Sequence, residues 1–215
     1  MDLKALYQFR FEGIDQGKRI AVWAPISHYL TALADHPIRV LDPACGLGEF
    51  INSCPSPERW AADLGHDGEF LEKNIKFVPG SFFEIDLPDS YFDLVFVSNV
   101  LEHLKDQIHV NQFLVHARKK LRPGGFIVVI GPNFRFCSKE YFDCADHNVI
   151  LTHLSVEEHL HTAGFSIVQT KSRFLPYSFR SKLPARGWTT KAYLKFPLIW
   201  RVLGKQFLMV AKRPL

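Results

Sequence analysis

The run Asp93-Leu94-Val95-Phe96-Val97-Ser98 carries an unbroken apolar stretch with no polar alternation. A strand with one wet face alternates, so this one must be buried on both faces, as in a parallel sheet covered by helices. Other short strand-like runs surround it: Ile38–Asp42, Arg59–Asp63, Ile75–Val78 stopped by Pro79-Gly80, Phe126–Ile130, Phe165–Thr170 and Gln206–Ala211. Helical spacing separates them over Lys18–Ala34 (with Pro25 as a kink), Leu47–Ser53, Gln107–Leu121 and Ser155–Ala163. Arg122-Pro123-Gly124-Gly125 reads as a turn after the third of these helices. Ser155-Val156-Glu157-Glu158 approaches a capping box, and Gly164 suits the position after a helix end. Strands alternating with helices predict an α/β, doubly wound sheet.

The 215 residues suit a single domain spanning 1–215. A chain of this length buries about 70% of its unfolded surface without needing a disulfide or metal. Hydrophobic content of 47% against 22% charged residues excludes a disordered or collagen-like chain. Cys45, Cys54, Cys137 and Cys144 show no C-x-x-C spacing and read as small apolar residues, with disulfide and zinc both disfavoured. The N-terminal residues lack a secretory pattern, and Leu194–Ala211 is interrupted by Lys195, Arg201 and Lys205, so a cytoplasmic location is expected.

Ligands of such sheets sit at the carboxyl ends of the strands. The first such end is Asp42-Pro43-Ala44-Cys45-Gly46-Leu47-Gly48, whose small residues let backbone approach a ligand. Asp63 ends the next strand, 21 residues after Asp42, where an acid can accept both hydroxyls of a ribose. The dinucleotide pattern G-x-G-x-x-G would put its third glycine at Ile51, so a nicotinamide dinucleotide is disfavoured.

Further motifs narrow the choice. Ser90 to Leu104, through Asn99-Val100-Leu101-Glu102-His103, resembles the fourth motif of class I S-adenosylmethionine-dependent methyltransferases. Ala117 to Phe126 resembles their R-x-x-L-K-P-G-G segment, and all four motifs stand in family order between residues 38 and 131. The resemblance implies a seven-stranded Rossmann-like sheet whose last strand is antiparallel. It also implies S-adenosyl-L-methionine as cofactor and S-adenosyl-L-homocysteine as product. On this resemblance Asp42, Ala44, Cys45, Gly46 and Gly48 would hold the methionine part, Asp63 and Leu64 would flank ribose and adenine, and Asn99 and Val100 would lie under the methionine. Ser81 and Phe82 follow the third strand, where the family often has an adenine-binding Asp; Ser81 replaces it.

Methyl transfer to a hydroxyl needs a base for the departing proton, and histidine suits that task. His103 and His147 are the candidates, with Asp146 (or Asp143) to assist. Some 2′-O-methyltransferases of small-RNA ends and some ubiquinone-pathway enzymes resemble this region but carry a metal-binding E-x-x-E-H. Asn99 replaces the first carboxylate here, so no metal is expected. Asp42-Pro43-Ala44-Cys45-Gly46 also resembles DNA adenine methyltransferases, whose D/N/S-P-P-Y/F motif is absent at Ser98-Asn99-Val100-Leu101; DNA is not expected as a partner. Gly131-Pro132-Asn133-Phe134-Arg135, Tyr141-Phe142-Asp143, Arg173-Phe174-Leu175-Pro176-Tyr177 and Leu203-Gly204-Lys205-Gln206 resemble bacterial methyltransferases associated with surface-polysaccharide biosynthesis. That implies a sugar hydroxyl as acceptor, on a nucleotide- or lipid-linked saccharide.

Charge is unevenly distributed. Up to Glu158 there are 15 Lys and Arg against all 22 acids, a balance of −7; from His159 onward there are 11 and none, a balance of +11. Such a stretch calls for an anionic partner or surface. Residues 1–36, with Tyr7, Arg10, Arg19 and Trp23, are expected to form a helical cap. Residues 171–205 form a basic, aromatic insertion between the last two strands that includes Phe179, Arg180, Lys182 and Trp188. It is expected to meet the acceptor or the inner membrane surface. An RNA 2′-O-methyltransferase and a non-catalytic cofactor-fold binding protein are the competing readings.

Overall fold

The computed structural model describes residues 3–13, 15–177 and 186–215; Phe179, Arg180 and Lys182 lie outside them, as does the Tyr7 side chain. Seven strands form one sheet: β1 (Arg39–Asp42), β2 (Glu58–Asp63), β3 (Lys76–Pro79), β4 (Phe92–Ser98), β5 (Leu121–Pro132), β6 (Ser166–Lys171) and β7 (Gln206–Lys212). Their order is β3-β2-β1-β4-β5-β7-β6. β1 to β5 are parallel neighbours, and β7 enters antiparallel between β5 and β6. The expected α/β sheet with an antiparallel last strand is what the chain adopts.

Alternating residues of the central strands supply two separate cores, because successive side chains leave a strand on opposite faces. Leu41, Val95, Val97, Ile127 and Val129 join the face covered by α4 (Gln107–Lys120) and α6 (His153–Thr162). Val40, Leu94, Phe96, Val128 and Ile130 join the face covered by α2 (Gln16–Leu33) and α3 (Glu49–Ser53). β4 is thus buried on both sides, from Phe92 to Val97, as its unbroken apolar run requires.

Most boundaries move by a residue or two, and three differences have a local physical cause. Arg122-Pro123-Gly124-Gly125 is no turn but the start of β5. The register shifts between Phe92 and Leu94, and this irregularity accommodates Pro123, which has no N–H to donate. Gly124, at φ 75°, donates to the Arg213 carbonyl at 2.9 Å, and Arg213 N–H returns a bond to Gly125. α6 begins at His153, not Ser155. Thr152 is its cap: its hydroxyl accepts the Ser155 N–H at 3.2 Å, and the Ser155 hydroxyl accepts the Thr152 N–H at 2.9 Å. α3 starts two residues late because Gly48 is left-handed, at φ 74°.

The leading segment makes α1 (Leu3–Phe11) and then α2, which runs through Pro25. The insertion contains α7 (Gly187–Lys195) and α8 (Pro197–Leu203), neither foreseen as a helix. The short α5 (Phe134–Cys137) follows β5. All four cysteines are free. No helix is long and apolar enough to cross a membrane among the described residues.

At the amino end of β4, Asp93 is buried and accepts hydrogen bonds from the Arg39 backbone at 2.8 Å, the Arg39 guanidinium and Arg122. Burial would raise its carboxyl, but the bonds from Arg39 and Arg122 outweigh that and hold it near 2. A depressed carboxyl contributes stability at neutral pH that is lost as pH falls from about 4 toward that value. Asp93→Asn is therefore expected to lower the midpoint of urea unfolding at pH 7, with the gap to the native chain closing as the pH approaches 2. An equal gap at both pH values would refute this account.

Candidate active site

The loop after β1 is shaped by its backbone. Cys45 N–H donates to the Ala62 carbonyl at 3.0 Å, and Gly48 N–H to the Cys45 carbonyl at 2.8 Å. Gly46 and Gly48 both have positive φ, of 52° and 74°. A Cβ at Gly46 would meet nothing within 4 Å, so the loop has open space there, whereas at Gly48 it would collide with Leu71. Asp42 is 3% exposed; burial raises its carboxyl well above the usual range, opposed by the Ala44 N–H and reinforced by the Asp63 and Glu49 charges. A cation arriving beside it would reverse that penalty. From the leading segment, Gln16 donates to the Leu47 carbonyl and Arg19 pairs with Glu49. Trp23 instead turns edge-on to Phe96 in the core.

Asp63 does more than end β2. One carboxylate oxygen accepts the Gly46 N–H and the other the Gly65 N–H, both at 2.8 Å. The acid thus fastens together the loops after β1 and β2. Leu64 beside it is exposed. Ser81 uses its carbonyl to accept Glu84 and Ile85 N–H groups. The Phe82 ring is in the core against Phe113 and His116, so its side chain does not face a ligand.

Cys45, Asp63 and His66 can bring ligand atoms within 4.8 Å of one another. They suit a metal poorly. Burial pushes the Cys45 thiol far up, and His66 accepts the Gly68 N–H through Nδ1, which leaves its neutral ring a proton on Nε2. His66 instead stacks on Phe77 at 5.3 Å.

The second cluster lies where β4 and β5 end. Asn99, at φ 50°, donates its N–H to the Ile130 carbonyl at 2.9 Å, and Val100 is half-buried before a one-turn helix over Leu101–His103. The Glu102 carbonyl accepts both Asn148 and Val149 N–H groups, which ties that turn to the loop after β5. His103, Asp146 and His147, 43 or more residues apart in part, are thereby brought together. His103 Nδ1 is 3.2 Å from an Asp146 carboxylate oxygen and 3.1 Å from the Asp146 carbonyl. Asp146 also accepts two bonds from Arg10 of α1. Burial would raise Asp146, but His103 and Arg10 hold it far below the carboxylate range. His103 loses charge stability by burial and regains more from Asp146 and Glu102, so its proton is held more firmly than usual.

His147 is the opposite case. Burial, and then the His103 charge, depress it to about 4. Its ring lies 4.8 Å from both His103 and Tyr141, and its buried Nδ1 has no hydrogen-bond partner. Tyr141 is occupied, its hydroxyl donating to Val149 and accepting from Leu151. Glu102 is 1% exposed, burial raises its carboxyl, and its Oε2 also lacks a partner. Glu102, His103 and His147 also lie with ligand atoms within 4.8 Å of one another, without Asn99, but the firmly held His103 proton and the raised Glu102 carboxyl would have to be given up before an ion could bind. The sequence named each residue but gave no sign that Arg10, 136 positions away, would anchor Asp146.

The Asp63 brace has a consequence for the empty protein. Replacing one of its oxygens with an amide leaves a loop N–H unpaired, at about 1–3 kcal/mol. Asp63→Asn is expected to lower the melting temperature of the ligand-free chain by about 3–8 °C, read by circular dichroism. An unchanged melting temperature would mean that the acid is not a brace.

Comparison with known proteins identifies the family. Residues 16–170 match a family model described as a methyltransferase domain. A Mycolicibacterium smegmatis protein named as a probable S-adenosylmethionine-dependent methyltransferase is 36% identical over 63% of this chain and 54% of its own. An uncharacterized methyltransferase of Schizosaccharomyces pombe is 28% identical over 47% of this chain and 42% of its own. The chain spans about half the length of these curated relatives. An S-adenosylmethionine-dependent methyltransferase from Archaeoglobus fulgidus superposes with a TM-score of 0.69 at 22% identity, covering 98% of this chain and 100% of that one. The N-methyltransferase NodS of Bradyrhizobium japonicum, in complex with S-adenosyl-L-homocysteine, gives 0.62 at 14% identity over 96% and 92%. A Haloferax volcanii methyltransferase in complex with its activator Trm112 gives 0.66 at 17% identity over 98% of each chain. With the motif order, the glycine loop and the strand order, the match places the chain in the methyltransferase-domain family, on a class I sheet.

Proposed function

We propose that the chain moves the methyl group of S-adenosylmethionine to a hydroxyl oxygen of a saccharide carried on a nucleotide or lipid phosphate. Asp42, Ala44, Cys45, Gly46 and Gly48 receive the methionine part, with the buried Asp42 carboxylate opposite its ammonium. Asp63 and Leu64 take the ribose and adenine side, together with the backbone at Ser81 and Phe82. Asn99 and Val100 form the floor between cofactor and acceptor.

The observation that carries the reading is His147: buried, uncharged at neutral pH, with a ring nitrogen that nothing else engages. The donor is already activated as a sulfonium, so positioning supplies much of the catalysis, about 7–11 kcal/mol. The acceptor proton becomes strongly acidic only as the new C–O bond forms, so a base depressed to about 4 is strong enough to take it. His103, Asp146 and Arg10 act behind it, as the ion-paired group that keeps the neighbouring imidazole charged and His147 neutral.

A second reading uses the same residues: Glu102, His103 and His147 holding a divalent ion that binds the acceptor hydroxyl. The reach of their ligand atoms to one point favours it. A chelator distinguishes the two, because EDTA abolishes turnover only if the ion is required.

His147→Ala is expected to lower kcat by about 100-fold or more, with the Kd for S-adenosylmethionine by calorimetry changed less than about threefold. Equal losses in both would make His147 a cofactor residue. In the native enzyme the acidic limb of kcat should fall near pH 4, because His147 must be unprotonated. A limb between pH 6 and 7, the range of an ordinary histidine, would assign the base elsewhere.

A further inference from the structure

The hydrogen-bond and ion-pair network so far described leaves the outer side of α7 and α8 without a role. On α7, Trp188, Lys191, Ala192 and Lys195 are exposed, a spacing of three and four residues that defines one helical face. The opposite side faces inward: Tyr193 and Leu194 pack on the core, and a Cβ on Gly187 would stand 2.7 Å from the Ala21 carbonyl of α2. α8 is held by Trp200, whose ring meets Phe174 at 5.1 Å and whose N–H donates to the Tyr193 carbonyl. Its other apolar residues point outward, with Leu198 74% and Val202 75% exposed, beside Phe196 and Ile199. Trp188 is 68% exposed.

Scattered exposed apolar residues are ordinary, but a continuous group of them within one short segment is not. The cations around them are Lys191, Lys195 and Arg201, all exposed, and no acid occurs anywhere from His159 to Leu215. Aliphatic tips such as Leu198 and Val202 add nothing to the binding of a nucleic-acid backbone, and a polyanion alone would need only the lysines. Exposed apolar side chains interspersed with cations along the same two helices, with tryptophan among them, suit the boundary between anionic headgroups and acyl chains.

Position adds a second argument. Gln206, the first residue of β7, pairs with Pro132, the last of β5, so the insertion leaves the sheet at the edge where the site lies. Lys205 at its root pairs with Glu140 and accepts the Asn133 N–H, both in the loop region that continues to His147.

We propose that the outer face of α7 and α8 seats the protein on an anionic lipid bilayer, which brings the reactive edge to a membrane-held acceptor. Membrane binding itself goes beyond the methyl-transfer reading and does not require it, so the test involves no turnover. The full chain is mixed with vesicles of phosphatidylglycerol in phosphatidylcholine, and with vesicles of phosphatidylcholine alone, and sedimented. The expected result is binding to the mixed vesicles that weakens with salt, at least about tenfold above the neutral ones. Trp188 emission should shift to the blue on binding, a shift absent in Trp188→Phe.

Leu198→Glu with Val202→Glu, and separately Lys191→Glu with Lys195→Glu, should each reduce partitioning about tenfold or more. Calorimetric binding of S-adenosylmethionine should stay unchanged in both, as a control for folding. Failure of the native chain to bind mixed vesicles at low salt would overturn the proposal. So would variants that bind as well as the native chain, or a particle of twice the chain mass in light scattering that Leu198→Glu with Val202→Glu dissolves without altering vesicle binding. Loss of vesicle binding with a normal His147→Ala phenotype, or the converse, separates this proposal from that of the catalytic base.

Discussion

Burial of β1, β4 and β5 on both faces is the constraint on which the molecule rests. With both faces covered by helices, the apolar side chains of these strands are committed to one core or the other, and polar ones are confined to the strand ends, as Asp42 and Asp93 are. Chemistry is left to the strand ends, where the chain turns back and its polar groups need partners other than the ladder. The loops after β1, β4 and β5 meet that need with Asp63, Asn99 and the Glu102 carbonyl. The groups that pair those loops are therefore the same ones that shape the site.

The two histidines show how burial and charge set unlike roles for like side chains. His103 gains a carboxylate that is itself anchored by a guanidinium, and it keeps its proton. His147, 4.8 Å away, has a cation as a neighbour and an unpaired nitrogen, and it loses its proton. Two interacting groups pushed apart in this way form a proton donor and a proton acceptor from one residue type. Burying an unpaired polar atom costs stability, and His147 and Glu102 both carry that cost at one spot.

The sheet was legible because its signal is periodic and local. The apolar run at Asp93–Ser98 and the glycines at 46 and 48 left little freedom in where strands and loops could go. Arg122-Pro123-Gly124-Gly125 misled because turn chemistry was weighed without the neighbouring strand and chain end that hold it extended. Ser155 does belong to a capping box, but as its third residue under the Thr152 cap and not as the cap of a Ser155–Glu158 box, since a serine can serve in either place. The candidate bases could be named from loop position, but their electrostatics depend on Arg10 and on burial, and neither leaves a trace in local sequence. Helices in the insertion are hard to read because each is short and splits its apolar residues between an inward side (Tyr193, Leu194, Trp200) and an outward one (Trp188, Leu198, Val202), which blurs the usual stripe.

The antiparallel entry of β7 has a wider meaning. Had the last strand run parallel, its connection from β6 would have to cross the sheet, and both ends would be tied to the packing of a helix layer. Instead, the link from Lys171 to Gln206 begins and ends at the carboxyl edge of the sheet, on the side of the loop that bears His147. Phe174 and Trp200 tie this link to one core, but its outward residues can change without disturbing the glycine loop. Selection could then redraw which molecules reach the site while the part that holds the methyl donor stays fixed, and a single scaffold could give rise to enzymes with unrelated acceptors.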